Sequence, residues 1–347
     1  MKSSNVIGID IGFGYTKVFG DKVSSIFPSQ VSKQISRGVF GKKAEVVFVD
    51  GQSFVVGNDI DGFGDYSVAK DFVGTPEYLA MLGKALLVAG TRQDILVMGL
   101  PPLFYDEERC KKLTDLIRGT RFSTGNGQII HVPETIRFIP QGAGIFYDFA
   151  WSSQQRNKQA QHGNILVIDI GEFTLDIVLF QKGQYDSGAG ISHPLGINLL
   201  INNIKKEFSK VHGEFLNNDN NVLKLIREGQ FSYLDRTYQL DVSKHLSEYI
   251  NDHVLKAINN FASSIRSSKT KLVDIVVMAG GGVKCIGQLI SKEVAVTDDP
   301  QMSNARGYYN YGKREVAPAL SAAPDKSEEK TENTEKKENA ETRTAAA

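Results

Sequence analysis

Two stretches of the same design decide the fold: VIGIDIGFGYTKVFG at residues 6–20 and NILVIDIGEFTLDIVLF at residues 164–180. Each is an apolar run that ends in Asp-Ile-Gly and is followed, after a short turn, by a second apolar run. This pattern predicts a strand, a glycine turn and an antiparallel strand. Because the order occurs twice, the sequence predicts an internal repeat and two lobes, and 347 residues with 41% apolar content are sufficient for two cores.

The two Asp-Ile-Gly turns have the composition of a phosphate-binding site. In DIGFGYTK, residues 10–17, the glycines let backbone amides approach an anion, Lys17 supplies a positive charge, and Asp10 can hold Mg²⁺ through water. One such turn is also compatible with ordinary structure, since neither a Walker loop nor a G-x-G-x-x-G turn before a helix is present. The second turn, DIGEFTLD at residues 169–176, makes the prediction specific because two facing turns would grip phosphates from opposite sides.

A third glycine element follows the predicted strand LVDIVV, residues 272–277. In MAGGGV, residues 278–283, backbone without side chains would lie flat against a base or a ribose. The alternative interpretation is a tight turn between a strand and a helix.

The segments around these turns predict helices that cover mixed sheets. VVFVDGQSFVVG, residues 46–57, indicates a hairpin that turns at Asp50-Gly51. A helix is predicted from Thr75, its N-cap, with Pro76 in the first position. Residues 242–265 predict a long amphipathic helix. Beyond residue 316 the composition is Ala, Pro, Ser, Thr, Glu and Lys, which predicts a disordered tail that is either a solubilising extension or a partner-binding segment.

Charge and composition exclude several classes of function. Lysine plus arginine and aspartate plus glutamate number 40 each, so no overall field attracts nucleic acid or an anionic membrane, and a link to DNA would need an adaptor. No apolar run approaches the roughly 18 residues of a membrane span, and the first residues lack a signal-peptide pattern, which predicts a cytoplasmic protein. Cys110 and Cys285 are too isolated to indicate a disulfide framework or a zinc site.

Taken in order, these motifs resemble the superfamily of actin, sugar kinases and heat-shock chaperone ATPases. MGLP at residues 98–101 and DPQMSNARGY at residues 299–308 are similar to the bacterial plasmid-segregation branch, ParM or StbA. The resemblance covers residues 5–312. The matching segments are phosphate 1 at 10–17, connect 1 at 140–146, phosphate 2 at 169–176 and adenosine at 279–282.

The resemblance implies an α/β protein of two actin-like lobes, each a ribonuclease-H-like domain, with a disordered C-terminal tail. It divides the chain into lobe I at residues 1–160, lobe II at 161–300, a connect 2 segment at 301–315 that returns to lobe I, and the tail at 316–347.

The resemblance also implies roles for single residues. Asp10 and Asp169 would organise Mg²⁺ through its waters and act in catalysis with Gln141, which would orient the attacking water. Gln141 as a hinge amide that hydrogen-bonds to backbone is the alternative. The ligand would be ATP, with GTP as the other choice. The predicted nucleotide-binding residues are Gly12, Phe13, Gly14, Tyr15, Thr16, Lys17, Gly171, Glu172, Phe173, Thr174, Lys205, Glu207, Gly280, Gly281 and Gly282.

Four of these positions carry reservations of their own. The family commonly has Ser or Thr at the position of Phe13 and Gly at the position of Glu172, so nucleotide affinity or turnover is expected to be unusual. Lys205, like Glu207, is also compatible with a solvated helix face.

The function implied by the resemblance is a filament-forming ATPase of plasmid or DNA-cargo segregation. Its partners would be further copies of itself and a DNA-binding adaptor protein, with no direct contact to nucleic acid or membrane. A small-molecule kinase is an alternative, although the substrate aspartate usual in such enzymes is not identified. A chaperone-like ATPase is another, although no substrate-binding β-domain pattern follows the cleft.

Overall fold

The structure is a computed structural model that describes residues 4–33, 45–60, 72–90, 93–266, 273–291 and 293–322. The first half of the chain is mainly strands. They are β1 (Val6–Ile11), β2 (Tyr15–Gly20), β3 (Val23–Pro28), β4 (Val31–Ser32), β5 (Val46–Val49), β6 (Gln52–Val56), β7 (Ile95–Leu100), β8 (Phe122–Thr124), β9 (Ile129–Ile130) and β10 (Thr135–Pro140). Its helices are α1 (Pro76–Ala89), α2 (Glu107–Gly119) and α3 (Ala143–Trp151), with 3-10 turns at Gly57–Asp59 and Pro102–Phe104.

The second half repeats this mixture with more helix. Its strands are β11 (Asn164–Ile170), β12 (Leu175–Gln181), β13 (Gln184–His193), β14 (Gln230–Tyr233), β15 (Arg236–Gln239), β16 (Ile275–Ala279) and β17 (Ala295–Val296). Its α-helices are α4 (Gln154–His162), α5 (Asn198–His212), α6 (Asp219–Glu228), α7 (Ser243–Glu248), α8 (Lys256–Arg266), α9 (Val283–Ile286), α10 (Ser303–Tyr311) and α11 (Ala317–Ala322). π-Helical segments at Tyr249–Leu255 and Gly312–Val316 and a 3-10 turn at Gly287–Leu289 complete the list.

The two central sheets have the same topology, which confirms the predicted internal repeat. The first has the order β3-β2-β1-β7-β10 and the second the order β13-β12-β11-β16-β17. In each, the strand that leads into the Asp-Ile-Gly turn pairs antiparallel with its hairpin partner and parallel with a strand from later in the chain. Both leading strands are buried on both faces, which explains their continuous apolar sequence.

The locally encoded elements also form as predicted. The hairpin β5-β6 turns at Asp50 and Gly51, which both have positive φ values of 48° and 84°. Helix α1 begins at Pro76, and the Thr75 side chain caps it by accepting a hydrogen bond from the Tyr78 amide.

Each sheet has a core of its own on one face, and a third apolar cluster joins the two sheets. This shared cluster contains residues of β1, β7, β11 and β12 packed against α3 and against Tyr308 of α10. Phe146 of α3 stacks on Phe180 of β12 with 3.9 Å between the ring centroids. The lobes are therefore connected through packed side chains as well as through the chain itself.

Helices α3 and α10 cross at two glycines. A Cβ atom placed on Gly307 would lie 1.7 Å from the carbonyl oxygen of Gly144, and one placed on Gly144 would lie 2.5 Å from that of Asn304. The guanidinium of Arg306 donates to both carboxylate oxygens of Asp148 at 2.5 and 2.6 Å, and the Ser303 hydroxyl donates to the same carboxylate at 2.6 Å. Backbone contact and a buried ion pair thus fix the two helices to one another.

The C-terminal region departs from the predicted boundary at residue 316. The helix that starts at Ser303 continues through Gly312–Val316 into α11, because Val316 is buried in the shared cluster and Gly312 lies against Val6. The prediction that residues 316–322 belong to a disordered tail was therefore wrong, because they are helical. The rest of the predicted tail, residues 323–347, lies outside the described residues. Within the described part of the chain, no helix has both the length and the apolar character that crossing a membrane requires.

We expect Gly307→Ala to destabilise the protein by about 2 kcal/mol or more, because the added methyl group meets the Gly144 backbone, which cannot rotate away. Helix propensity alone would favour alanine here by about 1 kcal/mol, so the sign of the change separates the two effects. Chemical denaturation measures it. The control is Gly119→Ala, at the exposed end of α2 with open space around it, which should be neutral or stabilising. Equal stability of wild type and Gly307→Ala would contradict the observed helix contact.

Candidate functional site

The two Asp-Ile-Gly turns lie at the carboxyl ends of β1 and β11, the edge of a sheet where α/β proteins bind ligands. They have the same geometry. The Gly12 amide donates to the Tyr15 carbonyl at 3.2 Å, and the Gly171 amide donates to the Thr174 carbonyl at 2.9 Å. Each glycine turn is therefore closed by the same backbone hydrogen bond across three residues.

The cross-strand partner of the aspartate differs between the turns. Asp10 is opposite Lys17, whose ammonium lies 3.0 Å from the Asp10 carboxylate. A Cβ on Gly12 would lie 3.0 Å from the same ammonium, which places this charge beside the first turn. Asp169 is opposite Asp176, so the second turn has a carboxylate where the first has an ammonium.

Burial makes the second turn electrostatically unfavourable in the absence of a cation. Asp169 is 4% exposed and Asp176 is 2% exposed. Burial, with the charges of Asp176 and Asp10, raises the pKa of Asp169 to about 7, while Lys17 and a hydrogen bond from Asn304 act in the opposite direction. Burial also raises the pKa of Asp176 to about 6, and its Oδ1 atom is buried without a hydrogen-bond partner. A bound cation would therefore stabilise the ionised carboxylates.

The two turns touch through aromatic side chains. The rings of Phe13 and Phe173 meet edge to face with 5.7 Å between centroids, and Phe13 also packs on Phe72 at 5.7 Å. The hydroxyl-bearing residue that the resemblance led us to expect at position 13 is thus replaced by an apolar contact between the lobes.

Glu172 extends from the second turn over the first. A Cβ atom on Gly14 would lie 1.4 Å from the Glu172 Oε2 atom, so the carboxylate occupies the space that the glycine leaves open. Burial raises the pKa of Glu172, the charge of Asp219 raises it further, and Lys17 lowers it. The Glu172 carboxylate therefore lies between the two turns, close enough to Lys17 for their charges to interact.

Gln141 lies directly after β10, at the same sheet edge as the first turn, and its backbone N–H donates to the Leu100 carbonyl at 2.6 Å. The structure thus places it in the short connection between β10 and the start of α3, the segment predicted to be the hinge. Gly142, the next residue, has a φ of 89° and a backbone amide that donates to the Asn304 side chain at 3.3 Å.

The remaining predicted residues divide into those that face the cleft and those that do not. The Thr16 hydroxyl is fully buried against Ser29 and Met81, on the side of β2 away from the turn, so its side chain is not part of the site. Tyr15 is 44% exposed. Glu207 pairs with Lys210 at 3.2 Å on α5.

Lys205 pairs with Asp219, the residue whose charge acts on Glu172. Thr174 directs its hydroxyl to Asp176 at 3.0 Å. These contacts connect Lys205 and Thr174 to the carboxylates of the second turn.

The glycine triplet forms a tight turn between β16 and α9, as the alternative interpretation of this segment expected, and its contact with a nucleotide stays a prediction. Gly280 has a φ of 99°, and a Cβ there would lie 2.4 Å from the Asp169 carboxylate. A Cβ on Gly282 would lie 2.5 Å from the Ile170 side chain, whereas Gly281 has more room, with Gln301 as its nearest neighbour at 3.7 Å. Two of the three glycines are therefore needed for close approach to the second Asp-Ile-Gly strand.

Sequence reasoning missed Asp176 and Asn304 as site residues. Asp176 is a carboxylate in a strand that is otherwise buried and apolar, and this break in the pattern is the signal that would have identified it. Asn304 has no such local signal, since its partners Asp169 and Gly142 are distant in sequence.

A cavity of about 470 Å³ lies elsewhere, against α3 and α10, with Asp148, Arg306 and Asn310 in its wall. It includes none of the predicted site residues. Among the described residues, no three His, Cys, Asp or Glu side chains form a group that could hold a metal by themselves.

Two family models of actin-like proteins match separate parts of the chain. Residues 8–144 match the family model of the N-terminal domain of actin-like proteins, and residues 167–292 match that of the C-terminal domain of the archaeal MreB-like actin homologue. Archaeal actin homologs from Thermoplasma volcanium and Thermoplasma acidophilum are each 25% identical over 90% of this chain and 99% of their own length.

Solved structures show the same fold. An archaeal actin homolog in complex with ADP has a TM-score of 0.70 at 21% identity, covering 89% of this chain and 99% of that one. A 15-stranded ParM filament from Clostridium botulinum has a TM-score of 0.66 at 21% identity, covering 90% and 99%. The predicted two-domain α/β fold is thereby confirmed.

We expect Asp176→Asn to flatten the pH dependence of stability. The raised pKa values mean that the native state holds protons that the unfolded chain has released. The free energy of unfolding therefore falls as pH rises from about 4, near the unfolded pKa, through the native values. Melting temperatures between about pH 5 and pH 8 without nucleotide measure this fall. Asp115→Asn on the exposed face of α2 is the control. If Asp176→Asn loses as much stability as wild type between these pH values, Asp176 does not cause the pH dependence.

Proposed function

Because the chain consists of actin-like ATPase family domains, we propose that it binds ATP with Mg²⁺ in the cleft between its lobes, hydrolyses it, and assembles into filaments in the ATP state. The observation that carries the proposal is the pair of facing Asp-Ile-Gly turns with buried carboxylates and a single lysine. GTP remains the alternative nucleotide.

The donor set fits magnesium. This ion prefers oxygen ligands, keeps several waters, and binds through one or two carboxylates together with substrate phosphates. Asp10 and Asp169 offer such carboxylates at facing strand ends, and the unpartnered Asp176 oxygen adds to the local demand for positive charge. When bound, the ion would neutralise phosphate charge. Removal of Mg²⁺ is therefore expected to weaken nucleotide binding.

Different residues of the chain would bind the phosphates and position the attacking water. The Lys17 ammonium, now paired with Asp10, would move to contact the β- and γ-phosphates. The backbone amides of Gly12, Gly14 and Gly171 would donate hydrogen bonds to phosphate oxygens. Gln141 would orient the attacking water, since its side chain starts at the same sheet edge. This role requires positioning alone, because phosphoryl transfer to water needs no covalent step on the protein.

Filament assembly is proposed from the similarity to a ParM filament, which supports self-association. We further propose a role in plasmid or DNA-cargo segregation through a DNA-binding adaptor in the cytoplasm. The balanced charge of the chain supports an adaptor rather than direct DNA contact. The lobe boundaries at 1–160, 161–300 and 301–315 belong to the same proposal.

We expect Glu172→Gln to raise the affinity for ATP about tenfold, because it removes one negative charge from the space between the phosphate-binding turns and keeps the shape of the side chain. Calorimetric titration with Mg-ATP measures the affinity. The matched control is Glu228→Gln at the exposed end of α6, which should bind as wild type does. Weaker binding by Glu172→Gln would instead show that this carboxylate helps to hold the metal and its nucleotide.

We expect Gln141→Ala to slow phosphate release by at least about tenfold without weakening nucleotide binding, because an amide that orients water acts mainly in the transition state. If filaments form with ATP and fall apart after hydrolysis, this variant should assemble normally and persist longer. Phosphate release and light scattering at limiting ATP are recorded in parallel, beside a direct affinity measurement. The control is Gln128→Ala, in an exposed turn.

The two halves of the proposal can fail separately. Wild-type hydrolysis by Gln141→Ala would remove this residue from catalysis. Slow hydrolysis without scattering in either protein would preserve the ATPase and discard the filament.

A further inference from the structure

A single buried amide links the two lobes at the candidate site. Asn304 is the second residue of α10 and is 5% exposed. Its Nδ2 atom donates to Asp169 Oδ2 at 2.7 Å, at the end of β11 in the second lobe. Its Oδ1 atom accepts from the Gly142 amide at 3.3 Å, at the hinge that follows β10 in the first lobe. The one side chain therefore contacts both the metal-organising aspartate and the residue next to Gln141.

The chemistry of these contacts selects asparagine. Asp169 accepts, while the Gly142 amide donates, so the bridging side chain must donate on one atom and accept on the other. Aspartate at position 304 would set a second carboxylate against Asp169, and alanine would leave a buried amide and a buried carboxylate oxygen without their partner. Glutamine has the same groups but is longer by one methylene, in a place where the Asn304 backbone already touches Gly144.

The backbone that carries Asn304 is held in place independently of the bridge. Arg306 and Ser303, its neighbours on α10, both bind Asp148 of α3, and Gly307 lies against the Gly144 carbonyl. A change in the orientation of Asp169 must therefore be taken up at Gly142, because α10 cannot follow it freely. This makes Asn304 a mechanical link rather than a flexible surface contact.

We propose that Asn304 is a positioning residue that couples the orientation of Asp169 to the hinge carrying Gln141, so that nucleotide bound at the second turn sets the position of the water-orienting amide. This inference rests on the proposed ATPase function. In it, Asn304 acts through its contacts with Asp169 and Gly142 and does not touch the nucleotide itself. Its loss should lower the rate of the chemical step more than the affinity for nucleotide, since a displacement of about 1 Å at a reacting centre can cost on the order of 100-fold.

The chain offers a spectroscopic reporter on α3, the helix that follows this hinge. Its only tryptophan, Trp151, is the last residue of α3. The indole stacks on Tyr147 at 4.8 Å between centroids, and the Arg314 guanidinium lies 5.1 Å from the ring centre. Because Trp151 lies at the opposite end of α3 from Gly144, a rotation of α3 about its contact with α10 should change the environment of the indole and its emission when nucleotide binds.

The first test compares Asn304→Asp and Asn304→Ala with the control Asn310→Ala, on the same helix at the wall of the cavity. We expect Asn304→Ala to bind Mg-ATP with near wild-type affinity, and both Asn304 variants to lose at least about tenfold in kcat and to lose the nucleotide-dependent change in Trp151 emission. The control should match wild type. If the aspartate variant does not fold, the result for Asn304→Ala alone tests the proposal.

A second test exchanges the hydrogen-bonding groups. In the double variant Asn304→Asp with Asp169→Asn, the amide at 169 donates to the carboxylate at 304, which still accepts from the Gly142 amide. We expect the melting temperature to recover towards wild type relative to the sum of the single changes, which is the signature of a direct interaction. Strictly additive losses would overturn the bridge.

Other results would also overturn the proposal. A folded Asn304 variant with wild-type kcat and only a lower melting temperature would make the residue structural, and a raised KM with unchanged kcat would make it a simple binding residue. If wild type binds nucleotide without hydrolysing it, the ATPase proposal fails but the coupling is still tested by Trp151. Persistence of the emission change in the Asn304 variants would then refute it.

Discussion

The contact between α3 and α10 is the constraint on which the rest of the molecule depends. The two helices approach closely enough for Gly307 to touch the Gly144 carbonyl, and the Asp148–Arg306 ion pair closes the same junction. Because both helices also pack against the two central sheets, this contact fixes how the carboxyl edges of the sheets face one another. The candidate site lies between those edges. A junction built of backbone contacts has little freedom to slide, so relative motion of the lobes must be a rotation about it.

The β11–β12 hairpin places two buried carboxylates opposite one another at the candidate site. Asp169 and Asp176 are buried, and both have raised pKa values because water is excluded from them. Desolvation of this kind costs several kcal/mol per charge in the absence of a partner. A bound cation would recover this cost, so these two carboxylates would favour the proposed metal-bound state. In the proposed ATPase, this preference links nucleotide occupancy to the free energy of the closed cleft.

The sequence predicts well whatever is encoded locally. The repeated Asp-Ile-Gly hairpins, the Asp50-Gly51 turn and the Thr75 cap depend on residues that are neighbours in the chain, and all form as expected. Two features escaped prediction. The bridge made by Asn304 depends on partners far away in sequence. Thr16, assigned to the nucleotide by its position in a motif, turns inward because strand residues alternate sides. The motif correctly predicted the backbone position of Thr16, but the alternation of side chains along the strand directs its hydroxyl into the core.

The substitutions at positions 13 and 172 then acquire a common physical meaning. Phe13 meets Phe173 across the cleft, and Glu172 fills the space beside Gly14, so the two turns make contacts with each other that a bound nucleotide would have to replace. Part of the binding energy of the phosphates is therefore consumed in separating groups that already touch. A site that closes on itself binds its ligand less tightly than an open one, but it also differs more between its empty and occupied states. For the proposed filament, in which nucleotide controls assembly, that difference between states matters more than affinity, because a ligand shifts an equilibrium only through its unequal interaction with the two forms.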